Sequence, residues 1–105
     1  MKRITVFRTE SGKEPYTDWL NSLKDQKTRQ RIIARIFMLE EGHYGDHRSV
    51  GQGVYELRFF FGPGYRIYFG EHDDQIIVLL VGGDKGSQRQ DIERAQNFWR
   101  EYLDR

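Results

Sequence analysis

The sequence contains no cysteine, which excludes a disulfide-stapled secreted domain and a thiolate metal site. Its longest apolar run, Ile76 to Val81, is far too short to cross a bilayer. The opening stretch from Met1 to Glu10 lacks the apolar segment of a signal peptide, so the expected compartment is the cytoplasm, with no membrane partner. Two prolines are too few for a linker-rich chain, and there is no repeat or low-complexity tract. Charge of one sign is also missing. A formal net charge of +1 does not by itself announce a nucleic-acid binder.

Aromatic residues are what the chain has instead. Seven Phe, six Tyr and two Trp among 105 residues can fill a small core economically, because each ring buries so much area. That length suits a single domain spanning residues 1–105. The basic residues are unevenly spread. Lys24, Lys27, Arg29, Arg31 and Arg35 fall within one stretch whose only acid is Asp25. Such a stretch is either a solvated helix face or a contact for a polyanion.

Hydrophobic periodicity sets the expected elements. Ile4 and Val6 alternate in a short first strand. Pro15 is tolerated in a first helical turn, and Tyr16, Trp19, Leu20 and Leu23 follow at helical spacing. Asp25 fits the N-cap of a second helix carrying Ile32, Ile33, Ile36, Phe37 and Leu39, which Gly42 would end. The short link between the two predicts an antiparallel helical hairpin. Residues 42–53 read as a glycine-rich loop with one short strand near Val50.

From Val54 the period changes to two. Gly62-Pro63-Gly64 reads as a tight turn rather than a phosphate-cradling loop, and Tyr65 to Gly70 as the returning strand. His72-Asp73-Asp74 is the next turn, and Ile76 to Val81, apolar on both faces, predicts a well-covered interior strand. A last helix starts near Ser87 with Ile92, Ala95, Phe98, Trp99, Tyr102 and Leu103 on its apolar face. The fold class expected is α+β: a β-α-α unit, a mostly antiparallel meander and a C-terminal helix. Trp19, Phe37, Phe98 and Trp99 are assigned to the core.

Alternation puts Glu56 and Arg58 on one face of their strand, and Arg66 and Tyr68 on one face of the next. A three-residue turn would set Arg58 opposite Tyr68 and Phe60 opposite Arg66, on an open, non-core face. Two arginines there could grip a phosphate in bidentate fashion, or they could belong to a surface salt-bridge ladder of little consequence. Lys85, after Gly82-Gly83-Asp84, could add a third cation. Gln88 and Asp91 fit capping and dipole roles at the start of the last helix. His43 and His47 have i, i+4 spacing but lie in a loop with no third ligand, so no metal is expected; His47 could instead carry a proton.

Several of these segments, taken in order, resemble a known family. They are Gly53-Val54-Tyr55-Glu56-Leu57-Arg58, Phe61-Gly62-Pro63-Gly64-Tyr65-Arg66-Ile67-Tyr68-Phe69, and Leu79-Leu80-Val81-Gly82-Gly83-Asp84-Lys85. Gln88, Asp91-Ile92, and upstream Gly12 to Pro15, Trp19-Leu20 and Gly45-Asp46 continue the likeness. Together they resemble the addiction-module-killer branch of HigB-like toxins in the RelE/ParE superfamily. The resemblance implies a RelE-like fold, a cognate antitoxin partner of helix-turn-helix type, and growth inhibition. Relatives that cleave RNA act mainly on mRNA, often on the ribosome and without a metal or other cofactor. ParE-like relatives bind DNA gyrase instead, and a third possibility is a non-toxic member that only binds its antitoxin.

By that comparison Arg58 and Arg66 correspond to arginines at the scissile region, and Lys85 falls near a basic residue before the last helix. Two positions depart from the pattern. Glu56 stands where a lysine is found in RelE-type nucleases, and Ile92 where they have a tyrosine. The expected site is therefore Arg58, Arg66 and Lys85 as cations, Glu56 as base, and Tyr68 or Lys85 as acid. Lys24, Lys27, Arg29, Arg31, Arg35 and Gln88 are the expected RNA contacts.

Overall fold

A computed structural model describes all 105 residues. Strand β1 (Arg3–Val6) is followed by helices α1 (Pro15–Ser22) and α2 (Gln26–Glu40). Strands β2 (His47–Gly51), β3 (Val54–Arg58), β4 (Arg66–His72) and β5 (Ile76–Gly83) come next. A 3-10 turn over Lys85–Ser87 leads into helix α3 (Gln88–Leu103). The five strands form one sheet in the order β1-β5-β4-β3-β2. Only β1 pairs in parallel, along β5; the other neighbours are antiparallel. This is the α+β meander expected from the sequence.

Local chemistry accounts for the boundaries. Pro15 occupies the first turn of α1, where its missing N–H costs nothing. Asp25 takes the N-cap position of α2, but its carboxylate accepts from the Thr28 hydroxyl at 2.7 Å rather than from a backbone N–H. At the other end Gly42 adopts φ +90°. Its N–H bonds to Leu39 O and that of His43 to Met38 O, both at 2.9 Å, so the last carbonyls of α2 are satisfied. Asp73 and Asp74, both at φ +56°, make the turn between β4 and β5.

The sheet is covered on both faces. Helices α1 and α2 lie on one, where Tyr16, Ile32 and Leu39 meet Leu57, Phe59, Ile67, Phe69, Ile77 and Leu79. Helix α3 lies on the other, with Ala95 and Trp99 against Val54, Tyr68, Val78, Leu80 and Val81. Each layer is seated by a tryptophan over a glycine. A Cβ on Gly82 would stand 2.2 Å from the Trp19 ring, and one on Gly70 would stand 2.4 Å from the Trp99 ring.

Two expectations are corrected. The apolar stripe of α2 is narrower than its sequence suggests: Ile33 and Phe37 are 52% and 60% exposed, so Phe37 is not core. Helix α2 shares this face of the sheet with α1, and Ile32 and Leu39, with Ile36 beside them, are what it packs there. The β3–β4 register also differs by two residues. Arg58 stands opposite Arg66, and Glu56 opposite Tyr68. The ladder stops at the bond from Phe59 N–H to Tyr65 O, 3.0 Å, because Gly62 and Gly64 both take positive φ and open the turn. Phe61 thereby leaves the strand and packs beside Phe59 and Tyr65.

Candidate functional site

The polar face of β3 and β4 is the one that α3 covers. It is not open, as the sequence had suggested: Glu56 and Tyr68 are fully buried beneath the start of α3. Arg58 and Arg66 lie further along the strands and stay partly accessible, with side chains 35% and 13% exposed.

Glu56 organises this region. Its Oε1 accepts from Arg48 Nε at 2.9 Å. Its Oε2 accepts from the Tyr68 hydroxyl and from Gln88 Nε2, each at 2.9 Å, with Arg66 Nε 3.5 Å away. Burial acts to raise the Glu56 pKa, but the donors Arg48, Gln88 and Tyr68 outweigh it and hold the carboxyl below its ordinary range. Burial, and then the bond to Glu56, push the Tyr68 hydroxyl far above an ordinary phenol. The result is an ionised carboxylate with both oxygens engaged, beside a tyrosine that keeps its proton.

The two arginines are held differently. Arg58 forks onto Asp46, Nε to Oδ2 and Nη2 to Oδ1, both at 2.9 Å. Its backbone N–H bonds to Asp46 O at 3.0 Å, and the guanidinium holds the Asp46 carboxyl below its usual range. Arg66 donates from Nη1 to Gly64 O at 2.7 Å, while its buried Nε has no hydrogen-bond partner.

Lys85 is brought to Arg66 by the β3–β4 turn. Its N–H reaches Pro63 O at 3.4 Å. A Cβ on Gly64 would lie 3.1 Å from Arg66 Nη1 and 3.4 Å from Lys85 Cβ, so the bare glycine is the contact between the two. The loop carrying Lys85 is stiffened by Asp84, whose Oδ1 accepts from the N–H groups of Gly86 at 2.8 Å and Ser87 at 3.3 Å. Ser87 in turn donates its hydroxyl to Asp91 Oδ2 at 2.5 Å. Asp91 is buried, and burial raises its pKa despite Ser87 and Arg94.

Of the expected RNA contacts, Lys24, Lys27 and Arg31 are exposed. Gln88 is spent on Glu56. Arg29 turns onto the Leu23 carbonyl, and Arg35 donates to the carbonyls of Arg58, Tyr44 and Asp46 at 2.8, 3.2 and 3.0 Å. Both are half-buried structural contacts, not free cations. His47 bonds to Gly45 O at 2.9 Å and packs against Tyr44, so it does not join the arginines; His43 is exposed. No group of three or more His, Cys, Asp or Glu is gathered as a metal site would need.

Asp46 and Arg48 are the site residues that sequence reasoning missed. Their signal was the pairing of an edge strand: β2 runs antiparallel to β3 and sets Arg48 opposite Glu56.

Residues 18–100 match the family model described as phage derived protein Gp49-like. A Haemophilus influenzae protein described as uncharacterized is 41% identical over 81 residues, covering 77% of this chain and 82% of that one. No helix is long and apolar enough to cross a membrane.

Proposed function

The chain belongs to the Gp49-like family, a family of toxin–antitoxin toxins of the RelE/ParE-like type, and we propose on that premise that it is a HigB-like toxin that cuts mRNA. Membership implies an antitoxin partner. The observation that carries the nuclease reading is the direct opposition of Arg58 and Arg66, with Lys85 set beside Arg66 by Gly64. The sheet sets Arg58 and Arg66 side by side on a partly accessible patch, and Lys85 comes from the 3-10 turn after β5.

In the proposed reaction the 2′-oxygen of a ribose attacks the adjacent phosphorus, and the bond to the 5′-oxygen breaks. The 2′-hydroxyl proton is lost and the leaving 5′-oxygen gains one, giving a 2′,3′-cyclic phosphate and a 5′-hydroxyl. Negative charge builds on the phosphate oxygens during the step. Arg66 and Lys85 are placed to take it up, and preorganised cations of this kind supply the largest share of such catalysis. Arg58 would exchange its Asp46 carboxylate for a phosphate oxygen of similar geometry.

Glu56 and Tyr68 enter as positioning groups. A carboxylate that already accepts from Arg48, Gln88 and Tyr68 is a poor base, but it is well placed to fix Arg66. The protons are assigned to water and to Lys85.

The test is cleavage of mRNA, with and without ribosomes, by the wild type and by Arg66→Ala and Lys85→Ala. Losses of about a hundredfold in each variant are expected. Unchanged cleavage in both would remove the assignment.

A further inference from the structure

We propose that Phe60 is a stacking platform for an unpaired base of single-stranded RNA, one nucleotide away from the phosphate held by the arginines. Phe60 is 83% exposed, whereas Phe59 is buried and Phe61 half-buried.

Each of the three consecutive phenylalanines has its own guanidinium. Arg35 stands 5.0 Å from the ring centre of Phe59, Arg58 5.9 Å from Phe60, and Arg31 3.6 Å from Phe61. Arg31, Arg35 and the three rings line a hollow of about 230 Å³ with no carboxylate in its wall. Arg35 is spent on backbone carbonyls and Arg58 is paired with Asp46, so exposed Arg31 is the free cation beside the rings. An exposed ring next to such a cation is what sequence-tolerant binding of single-stranded nucleic acid uses: the base stacks and the backbone is neutralised. Arg58 ties this hollow to the proposed reacting phosphate.

An amphipathic helix of a protein partner is a poorer fit. The exposed apolar residues Ile33 and Phe37 are two positions on from Arg31 and Arg35, which places them on the opposite side of α2. On the side of the arginines Met38, three positions on from Arg35, is the one large apolar side chain that α2 leaves exposed, too little for such a helix to cover. The inference rests on the nuclease reading for the identity of the strand, but not for the stacking itself.

The test uses an oligoribonucleotide that is 2′-O-methylated, and so cannot cleave itself, with 2-aminopurine at each position in turn. Wild-type protein should quench the fluorescence strongly at one position. Phe60→Ala and Phe60→Leu should both lose that quench and bind roughly tenfold more weakly. Phe60→Trp should keep both. Unchanged binding and quenching in Phe60→Ala would overturn the proposal, and so would full binding by Phe60→Leu, which would mean simple apolar contact. Loss of the cognate antitoxin by Phe60→Ala with oligonucleotide binding intact would also overturn it. Cleavage of unmodified RNA is scored separately. Stacking without any cleavage would defeat the nuclease reading alone, and cleavage with no role for Phe60 would defeat this one alone.

Discussion

The carboxylate of Glu56, fully buried under α3, lies 3.5 Å from the Nε of Arg66, a nitrogen with no hydrogen-bond partner of its own. Arg66 is held at the mouth of the site by this charge–charge attraction together with its bond from Nη1 to Gly64 O. Removing the carboxylate would leave Arg66 without its counter-charge, and Arg48, Gln88 and the Tyr68 hydroxyl without their shared acceptor.

Glu56→Ala is expected to cost about 3 kcal/mol of stability at pH 7, the usual scale for breaking a buried ion pair from one side. The pH dependence has a definite sign. The folded pKa of Glu56 lies below its ordinary 4.5, so the stabilisation is fully present above that value and is lost as pH falls through the folded pKa. Urea denaturation at pH 7 and pH 3 should show the gap between wild type and Glu56→Gln narrowing in acid.

Asp91 should behave in the opposite way. Its folded pKa is raised from 3.8 by burial, so ionisation at neutral pH works against the fold. Asp91→Asn retains an acceptor for the Ser87 hydroxyl. It should match or exceed wild-type stability at pH 7 and lose that advantage near pH 3. Equilibrium unfolding at the two pH values checks this.

Gly70→Ala and Gly82→Ala are each expected to destabilise by about 1–3 kcal/mol, the range for overpacking. In each case the new methyl would stand within 2.5 Å of a tryptophan ring, Trp99 or Trp19. Thermal unfolding measures the loss, and the tryptophan near-UV signal should change with it.

The sequence makes the elements legible because their causes are local. Pro15, Asp25 and Gly42 mark helix ends, and the switch to period two at Val54 marks the hairpin. What it does not show are pairings between distant segments. The two-residue register error came from a turn widened by Gly62 and Gly64, whose left-handed backbone has no unique signature. Burial of Glu56 depends on which face α3 chooses, and a run of apolar residues on a helix does not state that. Asp46 and Arg48 were missed for the same reason: the short strand near Val50 was expected, but its pairing with β3, which brings Arg48 to Glu56 and Asp46 to Arg58, was not.

The basic stretch should divide in two when tested. Lys24→Ala, Lys27→Ala and Arg31→Ala are expected to weaken oligonucleotide binding and flatten its salt dependence by about 0.7 in slope for each phosphate no longer neutralised. Arg29→Ala and Arg35→Ala should instead lower the melting temperature, because their guanidinium groups bond to carbonyls of this chain. Binding titrations at several salt concentrations, with melting curves alongside, separate the groups.

The most direct measurement is induction of the wild type and of Arg66→Ala in cells, following mRNA integrity and gyrase–DNA complexes together. Wild-type protein is expected to fragment mRNA and halt growth, with Arg66→Ala doing neither although it folds and binds antitoxin. Growth arrest that survives Arg66→Ala, with intact mRNA and gyrase trapped on DNA, would contradict a ribonuclease built on Arg58, Arg66 and Lys85.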